Sequence, residues 1–143
     1  MNLDVGERRI GIAFSDEEGL VATPRDTLSR QSLEKDLATL GRLARSEGAA
    51  GIVVGLPISM DGSEGREAQK VREFISALGR ESGLPVTPWD ERLSTVAAER
   101  ALVAQDVSRA RRREVVDRVA AALILQSYLD FRRSQEAPAS NLT

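Results

Sequence analysis

The chain has 143 residues, 41% of them hydrophobic and 29% charged, with a net charge of −2; these are the proportions of one globular domain with its own core. It contains no Cys and no His, which excludes disulfides, thiolate nucleophiles, zinc sites built on those residues and any Ser-His-Asp triad. Acid-base or metal chemistry must therefore come from Asp, Glu, Lys, Arg, Tyr, Ser or Thr, and carboxylates favour hard ions such as Mg²⁺ and Mn²⁺. No apolar run in the sequence approaches the ~20 residues of a membrane span, and the charge at Asp4 comes too early for a signal peptide. A cytoplasmic protein with no membrane partner is expected.

Along the chain, residues 1–5 and 9–15 read as strands, the second rich in β-branched and aromatic residues. A turn at residues 16–19 leads to a third short strand at 20–23, which Pro24 confines to an edge or an end. Leu33, Leu37, Leu40 and Leu43 recur on one helical face, with Ser32 as N-cap and Gly48 as stop. Residues 51–57 are short and continuously apolar, as in a strand covered on both sides. Residues 64–81 form a helix by the spacing of Val71, Phe74, Ile75 and Leu78, ended by Gly83 and Pro85. A fifth strand spans 85–90. Ser94 caps a helix running to about residue 104, and a last helix covers 109–133.

The expected order is β-β-β-α-β-α-β-α-α. Three strands joined by short turns form an antiparallel meander, and the strand–helix–strand unit from Gly51 to Asp90 is a parallel crossover. The fold class is α/β: a mixed five-stranded sheet with helices on both faces. Residues 1–133 are expected to be a single domain and residues 134–143 a polar tail that frays.

Three acids stand where such a sheet does chemistry. Asp4 lies in a core-forming strand, where a carboxylate is costly to bury unless paired or metal-bound; Gly6 beside it permits close backbone approach. Asp90 and Glu91 close the fifth strand, at the end where α/β sheets place sites. On an extended chain the two point opposite ways; Glu91 is the first choice and Asp90 the second. Asp117 borders an apolar helical stripe that includes Ala120 and Ala121. Meeting in one cleft, such carboxylates repel until a cation relieves them. Two ions ~3.5–4 Å apart would activate water and stabilise the leaving oxygen in phosphodiester cleavage.

The same segments resemble the RuvX (YqgF) family, linked to pre-16S ribosomal RNA cleavage and also called Holliday-junction resolvase-like. The matching residues are Asp4-Val5-Gly6, Arg9-Ile10-Gly11-Ile12-Ala13 and Ser15-Asp16; then Val54-Gly55-Leu56-Pro57 and Met60-Asp61-Gly62; then Asp90-Glu91-Arg92-Leu93-Ser94-Thr95; and finally Val116-Asp117, Ala120-Ala121, Ile124-Leu125 and Tyr128. The likeness spans nearly the whole chain. It implies a ribonuclease H-like fold related to RuvC-type resolvases. It implies Asp4, Glu91 and Asp117 as catalytic residues and metal ligands, and Mg²⁺ or Mn²⁺ as cofactor. The implied task is processing the 5′ side of precursor 16S ribosomal RNA, with branched DNA as the alternative substrate and a homodimer left open.

Two departures stand out. Glu7 occupies a position where the family often has Thr or Ser, and Val115 and Val116 precede Asp117 where Lys is frequent. Arg111, Arg112 and Arg113 are candidates to replace that charge and to hold backbone phosphates. Arg92 is a candidate phosphate clamp or a partner of Glu99. Ser94 and Thr95 are candidates for phosphate at a helix N-terminus. The Gly55-Leu56-Pro57 turn and the Asp61-Gly62 loop would border the cleft, and Trp89 is expected in the core.

Two other readings compete. Actin-like and sugar-kinase-like phosphotransferases also carry Asp-x-Gly in a first strand, but they use two domains and this chain has room for one. A nucleic-acid-binding module without catalysis would not need the three acids.

Overall fold

The computed structural model describes residues 1–94 and 109–136, with side chains in the second segment from residue 117 to 135. Its strands are β1 (Asn2–Val5), β2 (Arg9–Ser15), β3 (Ala22–Ser29), β4 (Ile52–Leu56) and β5 (Val86–Asp90). Its helices are α1 (Leu33–Ser46), α2 (Arg66–Ser82) and α3 (Arg109–Glu136), and a 3-10 turn covers Glu91–Leu93. The strands form one sheet in the order β3-β2-β1-β4-β5. β1, β2 and β3 pair antiparallel, and β4 joins β1 and β5 in parallel, as expected. The helix expected over 94–104 lies outside the described residues beyond Ser94. The last helix reaches Glu136, three residues past the expected end.

The third strand departs most from its expectation. It begins at Ala22 rather than Leu20 and continues through Pro24 to Ser29. Pro24 sits opposite Ala13, where the β2–β3 register shifts. An edge strand tolerates the missing N–H there because a bulge already interrupts the ladder.

Local chemistry starts and stops the helices. Ser32 Oγ accepts the Lys35 N–H at 3.2 Å, and the chain leaves α1 at Gly48 with φ +68°. Gly83, left-handed at φ 71°, ends α2 and donates its N–H to the Gly79 carbonyl.

The sheet has a core on each face. Leu3, Ile10, Ile12, Val54 and Leu56 pack with Leu37, Leu40, Phe74 and Leu78 of α1 and α2. On the other face Ala13 and Val53 meet Ala121, Leu125 and Leu129 of α3. All five residues of β4 are buried, as a strand covered on both sides should be. Asn2, fully buried on the α3 side, donates to the Ala121 carbonyl at 2.8 Å and ties the first strand to the last helix. Trp89 packs against both clusters on that side, and its indole N–H donates to Ser127 Oγ at 2.7 Å.

Candidate active site

Strand pairing sets one row of residues across the middle of the sheet. Asp4 lies directly opposite Gly11. Leu3 pairs with Val54, so one step further Asp4 draws level with Gly55, and Gly55 pairs with Trp89. Laterally paired residues share a face. The row Gly11–Asp4–Gly55–Trp89 therefore faces α3, as Asn2, Ala13 and Val53 do.

Both neighbours of Asp4 in that row are glycines, and another acid fills the space over each. A Cβ on Gly11 would come within 2.0 Å of the Asp117 carbonyl oxygen, so the α3 backbone at Asp117 rests on bare strand. A Cβ on Gly55 would meet Glu91 Oε1 at 3.0 Å and Ile124 Cδ1 at 2.8 Å. Glycine inside a strand permits this close approach. Asp4, 8% exposed, stands between the two. The Asp117 backbone thus lies at Gly11 and the Glu91 side chain at Gly55, on either side of Asp4 in the row.

Their carboxylates do not close into a ring. Among the described residues no three acids are placed to hold one ion. Asp117 Oδ2 instead accepts a hydrogen bond from Arg9 Nε at 2.8 Å. Carboxylate oxygens are donors of the kind a divalent ion takes, but the space over Gly11 and Gly55 is already filled by the Asp117 backbone, Glu91 and Ile124, and a guanidinium supplies positive charge at Asp117.

Asp90 points away from this cradle. Its Oδ1 accepts the Arg92 N–H at 2.9 Å, capping the 3-10 turn, and its carboxylate takes Arg92 Nε and Nη2 as a fork. The Arg92 guanidinium, followed by that N–H, holds the Asp90 carboxyl below the usual carboxylate range. Arg92 Nη1 also donates to the Ser59 carbonyl at 3.3 Å. Of the two adjoining acids, Glu91 is the one at Gly55. Arg92 pairs with Asp90; Glu99, its other expected partner, lies outside the described residues. The forked pairing of Arg92 braces the turn that carries Glu91. Ser94 donates its hydroxyl to the Glu91 carbonyl at 2.8 Å. Thr95 and the side chains of Arg111, Arg112 and Arg113 lie outside the described residues.

Gly55 and Leu56 belong to β4, as the strand reading of residues 51–57 expects, and not to a turn; the chain leaves the strand at Pro57. The Asp61 loop closes on itself, with Ser63 N and Oγ both donating to Asp61 Oδ1. The Ser63 hydroxyl, then its N–H, lower the Asp61 pKa. Gly6 makes the expected close backbone approach, donating its N–H to the Arg9 carbonyl at 2.9 Å, and Arg30 Nη1 donates to the Gly6 carbonyl. Arg9 and Gly11 stand in a matching motif but have no functional role in the sequence reading. The signal for Gly11 is a glycine inside an otherwise β-branched strand; apart from that motif nothing marks Arg9 out among 18 arginines and 2 lysines. A hollow of about 390 Å³ lined by Phe14, Ala49, Val53, Thr87 and Leu129 lies at the opposite end of β4 and β5 and contains none of the three acids.

A mixed sheet in this order, with acids gathered at the C-terminal ends of its parallel strands, defines the ribonuclease H-like class. Two structures of Thermus thermophilus RuvC share the fold. One, in complex with a Holliday junction substrate, matches with a TM-score of 0.57 and 13% identity, covering 90% of this chain and 92% of that one. The other matches with a TM-score of 0.57 and 14% identity, covering 92% and 94%. The family model described as "RuvX: Holliday junction resolvase" matches residues 1–131. A Symbiobacterium thermophilum protein named "Putative pre-16S rRNA nuclease" is 55% identical over 133 residues, covering 93% of this chain and 92% of its own length. A Myxococcus xanthus protein of the same name is 52% identical over 133 residues, covering 93% and 88%. The chain belongs to the RuvX family.

Proposed function

We propose that this protein is a divalent-metal-dependent nuclease that hydrolyses phosphodiester bonds on the 5′ side of precursor 16S ribosomal RNA in the cytoplasm. One observation supports the chemistry most: the row Gly11–Asp4–Gly55, with Asp117 resting on one glycine and Glu91 on the other. A carboxylate buried in a core sheet, as Asp4 is, is costly unless it is paired or bound to a cation. The names of the relatives supply the substrate.

Asp4, Glu91 and Asp117 would hold Mg²⁺ or Mn²⁺, which when bound supplies an activated water and neutralises charge on the leaving oxygen. The protein's own contribution is placement. The sheet fixes Asp4, the Gly11 contact fixes the backbone of Asp117, and the Asp90–Arg92 fork fixes the turn that carries Glu91. Phosphate contacts fall to Arg92, Ser94, Thr95, Arg111, Arg112 and Arg113, with residues 1–133 acting as one domain.

A second reading is cleavage of branched DNA, favoured by the description of the matching family. It requires two sites on one junction and hence a homodimer. Labelled single-stranded precursor RNA and a four-way DNA junction, each incubated with Mn²⁺ or Mg²⁺, separate the two. Wild type is expected to cut the RNA only with metal, and Asp4→Asn and Asp117→Asn to cut at least about a hundredfold more slowly. Cutting that survives both substitutions places the chemistry elsewhere. Binding without cutting in any protein makes this a binding module.

A further inference from the structure

Two backbone contacts set α3 against the middle of the sheet. The Asp117 carbonyl lies over Gly11, and the Ala121 carbonyl accepts the Asn2 side-chain amide at 2.8 Å. Asn2 pairs with Ala13 and Asp4 with Gly11, so the contacts fall in rows two residues apart on β1 and four residues apart on α3. Two strand residues rise about 6.8 Å and four helical residues about 6 Å, so strand and helix keep step along this stretch.

Apolar packing leaves that setting poorly specified. Ala120, Ala121 and Ala122 are consecutive and all buried, and shifting the helix by one residue puts one methyl group where another was. Gly11 admits the helix but attracts nothing. Ile124, over Gly55, is a side chain that can change rotamer. Asn2 is different. It is fully buried, and its Oδ1 has no hydrogen-bond partner among the described residues. A buried acceptor left unpaired is costly, and an apolar residue of similar shape would avoid that cost. What the amide adds is direction: its donor meets the Ala121 carbonyl, and a shifted helix would present another atom. Fixing a register is the best-attested use of a buried polar group.

We propose that Asn2 is a positioning residue: its buried amide sets the register of α3 on the sheet and thereby brings Asp117 to the row of Asp4. The proposal rests on the reading of Asp117 as a catalytic residue. Asn2 stands two residues before Asp4 and shares its strand face, so one short strand carries both the acid and the group that brings the helix to it. Without the amide, α3 samples neighbouring registers, and Arg9 Nε no longer meets Asp117 Oδ2 at 2.8 Å.

Asn2→Leu removes the donor and the orphaned acceptor together and keeps the branched shape. Two nuclear magnetic resonance signals of the metal-free protein read the register. One is the Overhauser effect between Gly11 Hα and the Arg118 N–H, whose nitrogen lies 3.0 Å from where a Gly11 Cβ would stand. The other is the Arg9 Nε–H resonance, set by its bond to Asp117. In Asn2→Leu both are expected to be lost, with the urea midpoint at or above that of wild type. Cleavage of the labelled RNA should fall about tenfold or more in kcat at unchanged KM. Leu78→Ala, on the opposite face, is the control: it should lower the urea midpoint and leave both signals. Asn2→Val, smaller and equally without a donor, gives the same test should the leucine variant not fold. Both signals intact in a folded Asn2 variant overturn the proposal whatever the activity. Signals lost with cleavage as in wild type overturn it too, because the register then does not serve the site. If Asp117→Asn cuts as wild type does, the reading of Asp117 fails, and the positioning role with it, whatever the two signals show.

Discussion

At the scale of single residues, two glycines matter more to the site than most charged side chains. Gly11→Ala would drive a methyl group into the Asp117 carbonyl, 2.0 Å from its ideal position. Backbone cannot yield as a side-chain tip can, so α3 must lift. We expect a loss of about 1–3 kcal/mol in urea unfolding together with loss of cleavage. Gly41→Ala is the control. Its nearest neighbour is the mobile end of Arg45, at 3.4 Å, and it should stabilise α1 by about 0.5–1 kcal/mol without touching activity. Gly55→Ala meets side-chain atoms, Glu91 Oε1 and Ile124 Cδ1, so it should cost activity more than stability.

Acid titration at the same scale tests the Asp90–Arg92 brace. The Asp90 pKa is lower in the folded protein than in the unfolded chain, first through the Arg92 guanidinium. The stabilisation it contributes is therefore present above the ordinary carboxylate pKa and is lost as pH falls through the lowered value. The difference in urea midpoint between wild type and Asp90→Asn should shrink on acidification across that window; a difference that stays constant would remove the charge from the explanation.

At the scale of elements, hydrophobic periodicity made the helices legible and β-branched runs made the strands legible. Residues 51–57 read as a doubly covered strand, and β4 is buried throughout. The third strand differs from its expected bounds because Pro24 reads as an end as readily as an edge; the edge is what is observed, and a register shift there absorbs the missing N–H. Asp36 was also missed. It sits within the leucine pattern of α1, and its value comes from Arg30 and the Gln31 N–H, contacts that only the turn before the helix creates. Asp36→Ala should remove the acceptor of both donors, which stay within reach of water, and cost about 0.5–1.5 kcal/mol, measured by chemical unfolding.

At the scale of the whole molecule, the three acids were legible as residue types at the ends of elements, and their convergence followed from the topology. What could not be read was their immediate company. Sequence spacing does not reveal that Arg9, 108 positions away, faces Asp117, nor that Asp90 rather than a distant acid holds Arg92. Such contacts depend on strand register and on where a long helix crosses the sheet. The two-sided core makes the platform stiff: Leu78, fully buried between α2 and the sheet, should cost about 2–5 kcal/mol when truncated to alanine.

The most direct measurement is a crystal soaked in Mn²⁺ and examined by anomalous scattering. A peak about 2.1 Å from oxygens of Asp4, Glu91 and Asp117 is the expected result. Mn²⁺ bound only at other carboxylates would contradict it.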